Sequence, residues 1–293
     1  MKKKLHSYQI RQKMLSKDYE IFHYSDTELE QVNLHHHDFY ECYLFISGDV
    51  TYFIEGKSYS LKPGDTILIN STELHQPIIN TNNIPYERIV LWIDKVFLNN
   101  LSTDTTKLSH CFEDGGKENV IRSSFEMQQN IKAILDKLLS LENYSGIGSE
   151  LLYKAYIIEL LVHLNMLLFH NGVKLDVDIK KNNLIDGIIE YINNHIEEEI
   201  TLDQLSAQFY LSKYHLLREF HKHSGTTIHK YIVQKKLIQA KELILKGIPI
   251  ISVYQQCGFG DYSNFFRAFK NEYGVTPKHF YELMCKNGVT DSK

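Results

Sequence analysis

The chain has 293 residues, 43% of them apolar and 23% charged, with a net charge of −4, which is ordinary for globular protein and suits two domains. The most apolar stretch, residues 157–169, is broken by Glu159, His163 and Asn165 and falls short of the ~20 residues of a helical span, so no membrane partner is expected. No apolar run follows the basic start Met1-Lys2-Lys3-Lys4, so no signal peptide is expected, and the scattered Cys42, Cys111, Cys257 and Cys285 form no CxxC pair, which fits a reducing cytoplasm.

Residues 20–95 read as strands. Short runs rich in Tyr, Phe, Ile and Val (residues 40–46, 50–54, 66–69 and 86–93) alternate with the turn signals Gly48-Asp49, Glu55-Gly56 and Pro63-Gly64-Asp65. Many short strands at this spacing predict an antiparallel barrel or sandwich. Residues 96–122 are polar and take no assignment. Helices are predicted over residues 124–141 and 149–169. The second carries Leu151, Leu152, Ala155, Ile158, Leu161, Val162 and Leu168, an apolar face wide enough either for core packing alone or for pairing with a second copy as well. Residues 173–183, with Lys180-Lys181-Asn182-Asn183, read as a linker, and everything beyond reads as helix.

Charge divides the same way. Residues 1–199 hold 19 Lys and Arg against 29 Asp and Glu, a net of −10, and residues 200–293 hold 13 against 7, a net of +6. A basic module on an acidic partner is an electrostatic footprint for nucleic acid. That C-terminal part repeats itself at an offset of 49 residues: Leu216 with Phe265, Arg218 with Arg267, Phe220 with Phe269, Gly225 with Gly274, Thr227 with Thr276, Tyr231 with Phe280, and the N-cap residues Ser212 with Asp261. Each copy reads as helix, tight turn, helix. Thr201-x-x-Gln204 opens the first as a capping box, with its turn at Phe209-Tyr210-Leu211. Pro249 opens the second, with its turn at Cys257-Gly258-Phe259-Gly260. A helix-turn-helix places its second helix in the DNA major groove. Two copies are too few for a solenoid. The second helices also carry Ser212, Lys213, Tyr214, His215 and Arg218 in one copy and Tyr262, Ser263, Asn264, Arg267 and Lys270 in the other. Arg suits guanine, Asn suits adenine, and Ser, Tyr and Lys suit phosphates, although each residue alone is also an ordinary solvated side chain.

At this point the sequence resembles the AraC/XylS family of bacterial transcription regulators, most specifically over residues 183–283. The carriers are Leu205, Leu211-Ser212-Lys213-Tyr214-His215-Leu216, Arg218-Glu219-Phe220, Gly225, Tyr231, Lys236-Leu237-x-x-Ala240 and Gly258-Phe259-x-Asp261-x-x-x-Phe265-x-Arg267-x-Phe269-Lys270-x-x-x-Gly274-x-Thr276-Pro277. The resemblance implies two helix-turn-helix units, at about 202–223 and 250–273, joined by a linker helix at about 228–245 and reading two successive major grooves. The expected partners are double-stranded DNA, RNA polymerase, a second copy of the chain and a small-molecule effector for which a sugar is one option, and no catalytic activity or cofactor is expected. Three departures stand out: Ser206 and Tyr254 occupy places where the family has Ala, and Leu217 stands where a polar base-reading residue is common. The N-terminal part resembles a cupin-type sensor through His35-x-His37-x-x-x-Glu41, Gly48, Pro63-Gly64-Asp65 and His75.

The expected fold is therefore α+β in two domains: a cupin-like antiparallel β-barrel with helices, then an all-α double helix-turn-helix. The boundaries are 1–122 for the sensor, 123–180 for a helical dimerisation segment and linker, and 181–293 for DNA binding. His35, His37 and Glu41 are separated by even numbers, so on a strand they share one face. With His75 they resemble the ligand set of metallo-cupin enzymes, which makes a cupin metalloenzyme with an accessory DNA module the competing reading. The regulator reading takes the same residues, without a metal, as polar groups at the barrel mouth, with Tyr40, Tyr43, Tyr52 and Trp92 as stacking surfaces for an organic ligand.

Overall fold

The computed structural model describes residues 5–6, 13–29, 32–80, 84–142, 144–169, 179–180 and 182–288. Two compact units emerge, residues 1–180 and 181–293.

In the first unit the strands are β1 (Tyr19–Asp26), β2 (Tyr40–Ser47), β3 (Val50–Ile54), β4 (Lys57–Ser60), β5 (Thr66–Ile69), β6 (His75–Ile79) and β7 (Tyr86–Ile93). Then come α1 (Lys95–Leu101), α2 (His110–Glu113), β8 (Val120–Ile121), α3 (Phe125–Leu141), α4 (Ser149–Phe169) and β9 (Ile179–Lys180). They form two antiparallel sheets, ordered β1-β7-β2-β5-β8 and β6-β3-β4-β9. Between β3 and β4, Glu55 and Gly56 both have positive φ, 44° and 92°, as a two-residue turn of type I′ demands.

The inner strands of the larger sheet are buried on both faces, which is why they read as unbroken apolar runs. From β2, Tyr40, Cys42 and Leu44 join Leu91 and Ile93 of β7 in a core beneath α1–α4. Glu41, Tyr43 and Phe45 point the other way, where Tyr43 and Phe45 meet Tyr52, Ile54 and Tyr59 of the smaller sheet. Tyr40 therefore cannot serve as a stacking surface in the barrel: it belongs to the helix-covered face, where its hydroxyl bonds Glu113.

The polar stretch left unassigned, residues 96–122, contributes α1, α2 and β8. Asp94 caps α1 by accepting from Phe97 N, and Phe97 and Leu98 are buried. Just before α3, Arg122 holds the fully buried Asp65 with two hydrogen bonds, 2.9 and 2.7 Å. The predicted linker also needs correcting. Residues 173–178 lie outside the described residues, but Ile179 and Lys180 pair with Tyr59 and Ser58 as β9, and Asn182 caps the next helix.

Helix α4 has 21 residues with mean hydropathy 1.5, and among the described residues it alone is long and apolar enough to cross a membrane. It begins eight residues before the stretch 157–169, so the expectation that no segment reaches that length is corrected. Its inner face, Ile157, Leu160, Leu161, Leu164 and Leu167, is buried in the core against α3 and α2.

The second unit holds α5 (Asn183–Asn194), α6 (Leu202–Phe209), α7 (Lys213–Ser224), α8 (Ile228–Leu245), α9 (Ile250–Gln256), α10 (Tyr262–Tyr273) and α11 (Pro277–Gly288). Its helix ends follow short-range rules. Thr201 and Gln204 form the full capping box. Ser212, Thr227 and Asp261 accept backbone N–H groups at the starts of α7, α8 and α10. Gly225 and Gly274, with φ of 66° and 72°, end α7 and α10.

Candidate nucleic-acid interface and sensor cavity

The two repeats fold alike. Leu216, Phe220, Phe265 and Phe269 are fully buried. An α-helix turns 100° per residue, so a side chain two positions before a buried one lies well round the helix. Accordingly Arg218 and Arg267 are exposed, as are Ser212, Lys213, Tyr214, Tyr262, Ser263, Asn264 and Lys270, with His215 half-buried. On α7, Arg218 bonds Glu219 Oε1 at 3.1 Å and lies 3.2 Å from His215 Nδ1. Lys213 pairs with Asp203 of α6 at 2.6 Å. On α10, Arg267 donates to Asn264 Oδ1 at 2.7 Å, so the guanidinium and the carboxamide form one polar unit on the exposed face. Leu217 and its repeat partner Phe266 are half-buried.

The departures from the family pattern have local solutions. The Ser206 hydroxyl donates to the Leu211 carbonyl in the turn, a bond Ala cannot make. Tyr254 packs edge-on against Tyr262 with ring centroids 5.6 Å apart, at the first turn of α10.

Lys236, in the middle of α8, is 5% exposed and carries the geometry between the repeats. Its ammonium donates to the carbonyl of Glu198, 2.7 Å away, ahead of the first helix-turn-helix, and to the carbonyl of Gly258, in the turn of the second. Gly258 has φ +64°, and a Cβ there would sit 2.3 Å from the Glu198 oxygen; only glycine permits that approach. Gln234 donates to Glu272 Oε2 at 2.6 Å, and Tyr273 donates to the Leu237 carbonyl at 3.1 Å, tying the end of α10 to the same helix. The sequence motif marked Lys236, but its buried, two-sided role shows only in three dimensions.

In the first unit, His35, His37, Glu41, Tyr43 and Trp92 line one cavity of about 50 Å3 between the sheets, together with Tyr24, Tyr52, Tyr86, Arg88 and the apolar Val32, Pro77 and Val90, while His75 lies behind this lining. The residues meet by a different route from the one expected. Strand β2 starts at Tyr40, so His35 and His37 precede it and share no strand face with Glu41. They are drawn in because His35 pairs by backbone with His75 at the start of β6, through bonds of 3.0 and 3.1 Å. His75 is fully buried, His37 is 3% exposed and Glu41 is 6% exposed, while His35 is half-buried. Trp92 is a positioning group rather than an open stacking face: its indole N–H donates to Glu41 Oε2 at 2.7 Å.

Burial and the neighbouring imidazoles hold His75 well below the ordinary histidine pKa, and His35 is lowered too, with burial the first cause. Burial alone would raise the Glu41 carboxyl, but His37, His35 and Trp92 outweigh it and keep the pKa low. Arg88, a residue sequence reasoning passed over, is 2% exposed, bonds Asp26 and lies over the Tyr86 ring at 4.1 Å. Its place in the β7 run, on the same face as Val90 and Trp92, was the available signal.

A two-sheet sensor with a cavity between its sheets, together with a duplicated helix-turn-helix, defines a ligand-responsive DNA-binding regulator. Residues 19–161 match the profile of the AraC-like ligand binding domain, and residues 205–282 match that of a helix-turn-helix domain. The chain belongs to the AraC family of transcription regulators. It is 26% identical over 250 residues to the probable transcriptional regulator LumQ of Photobacterium leiognathi, spanning 84% of this chain and 90% of that one. Over 233 residues it is 28% identical to the HTH-type transcriptional regulator YbfI of Bacillus subtilis, spanning 78% and 80%. The HTH-type transcriptional activator RhaS of Salmonella arizonae is 25% identical over 248 residues, spanning 83% and 85%. Among solved structures, ToxT from Vibrio cholerae O395 aligns with 15% identity and a TM-score of 0.38, covering 91% of this chain and 98% of that one.

Proposed function

We propose that this regulator is a one-component switch. Helices α7 and α10 enter two successive major grooves of double-stranded DNA, and a small effector held in the N-terminal barrel controls that binding. The observation that carries the reading is the pair of equivalent exposed arginines, Arg218 and Arg267, on N-capped helices, with the continuous helix α8 holding the approach to the first repeat and the turn of the second through Lys236 and α10 through Gln234. A fixed pair of reading helices suits two grooves about 10 base pairs apart on one face of the duplex. Of the sequence candidates, Arg218, Asn264 and Arg267 are the base readers; Ser212, Lys213, Tyr214, His215, Tyr262, Ser263 and Lys270 are the phosphate and sugar contacts. The protein acts in the cytoplasm, where it meets RNA polymerase, and it is not an enzyme.

The same reading includes a homodimer formed by α4. Its outward residues Leu151, Ala155, Ile158, Val162, Met166 and Phe169 are exposed and recur every three or four positions, the spacing of a helix-pairing seam.

Binding-site selection on the full-length parent, Arg218→Ala and Arg267→Ala tests the two-groove assignment. Each variant is expected to lose about 1–3 kcal/mol and to relax preference only at its own bases. Loss of preference at the same bases in both variants, or equal loss on all sequences, would show that the arginines hold only phosphates.

A further inference from the structure

Two residues of the cavity wall, His37 and Glu41, meet the fully buried His75 in an unused set of donor atoms. His37 Nδ1–H donates to the Phe39 carbonyl at 2.9 Å, and His75 Nδ1–H donates to the Glu73 carbonyl at 2.9 Å. A carbonyl only accepts, so each ring carries a proton on Nδ1 and turns Nε2 inward; His75 Nε2 is a bare lone pair, and His37 Nε2, which faces the Glu41 carboxylate at 3.5 Å, gives up any proton it holds there when a metal binds. Both Nε2 atoms are buried with no hydrogen-bond partner. Burying a polar nitrogen without a partner is unfavourable, and here two such nitrogens lie beside one carboxylate. Between them stands the Glu41 carboxylate. Its Oε2 lies 3.5 Å from His37 Nε2 and is steered by the Trp92 indole N–H. The three donor atoms lie within 4.8 Å of one another.

We infer that His37, Glu41 and His75 form a binding site for one borderline first-row divalent metal ion, such as Zn2+ or Co2+, inside the sensor barrel. Two imidazole nitrogens and one carboxylate suit such ions, and backbone carbonyls on the opposite ring nitrogens supply the outer-shell bonds that orient ligating histidines. Bonds of ~2.1 Å to one ion need ligand atoms about 3–3.5 Å apart. The His37–Glu41 pair already meets that spacing, and His75 has to approach. The cavity of about 50 Å3 that His37 and Glu41 line has room for an ion with one or two waters. Arg88, the other charge on the wall, is neutralised by Asp26 and does not repel a cation. His35, half-buried with its ring 4.2 Å from that of His75, stands just outside the set. The inference rests on the proposed regulator and gives its effector site a chemical class. The metal reading set aside on sequence gains from the Nδ1-anchored imidazoles and their buried, partnerless Nε2 atoms, which only the structure reveals.

The test uses the full chain, stripped with a chelator and then equilibrated with Co2+ or Zn2+ alone. After gel filtration we expect one equivalent of metal by elemental analysis, a visible Co2+ spectrum of low coordination number and a raised Tm. His75→Gln and Glu41→Gln, each checked for folding by circular dichroism, are expected to weaken affinity by more than about 100-fold. Glu41→Gln keeps the side chain's size and an acceptor for Trp92, so it decides the matter where His75→Gln does not fold. No retained metal, or equal retention by parent and folded variant, overturns the site. A gel shift on the same preparations separates the readings: DNA binding without metal retention refutes only this inference, and metal retention without DNA binding refutes only the regulator mechanism.

Discussion

Lys236→Met removes the ammonium that holds Glu198 and Gly258 together while keeping a stem of similar length. Lys236 is nearly fully buried, so water cannot replace it at either carbonyl. Two buried acceptors lose their partner, at about 1–3 kcal/mol each. Against this, burial already lowers the pKa of Lys236, and removing a partly desolvated charge returns some free energy. The net expectation is a loss of about 2–4 kcal/mol, or roughly 10–20 °C in the transition of the DNA-binding unit. The DNA effect has its own signature. With the two turns untied, affinity for the whole two-groove site falls steeply, whereas affinity for a site with one half scrambled changes little, because each repeat keeps its own caps and core. Calorimetry of the full chain reads the first effect and fluorescence anisotropy on the two DNA types reads the second. A Tm within about 2 °C of the parent, or equal affinity loss on both DNA types, would refute the staple.

Arg122→Met leaves the fully buried Asp65 carboxylate without its bidentate partner and is expected to destabilise the sensor unit by about 3–5 kcal/mol, read as a lower Tm. Ile158→Glu with Val162→Glu places charge on the outward face of α4 and should weaken self-association by about 100-fold or more; sedimentation of the full chain showing an unchanged dimer removes α4 from the interface. Burial pushes the Cys42 and Cys257 thiols up to about 12 and raises Cys111 further. Near pH 8 the thiolate fraction of Cys42 and Cys257 is then about 10⁻⁴ and that of Cys111 smaller still, so in a Cys285→Ser protein a thiol reagent should label these three only on unfolding. Rapid native labelling would contradict the burial.

The DNA-binding unit was legible in the sequence because its determinants are short-range. Capping residues such as Thr201, Ser212 and Asp261 sit within three positions of the groups they satisfy, terminal glycines stand where φ turns positive, and Phe220 and Phe269 repeat with the helical period. Local hydrogen bonds and periodicity therefore fixed α6–α10 before any packing was known. The strands of residues 40–93 were legible for the same reason, since their apolar runs and turns are local. The sensor site was legible only as a set of names. Even spacing placed His35, His37 and Glu41 on one strand, yet β2 begins after both histidines, and what gathers them is a backbone bridge to His75, forty positions away in the chain. The face assigned to Tyr40, the strand made by Ile179–Lys180, the buried Nε2 atoms of His37 and His75 and the two-sided grip of Lys236 likewise depend on which distant carbonyl or sheet face lies opposite. Such partners are chosen by long-range pairing of the whole chain, and no local pattern of residues encodes them.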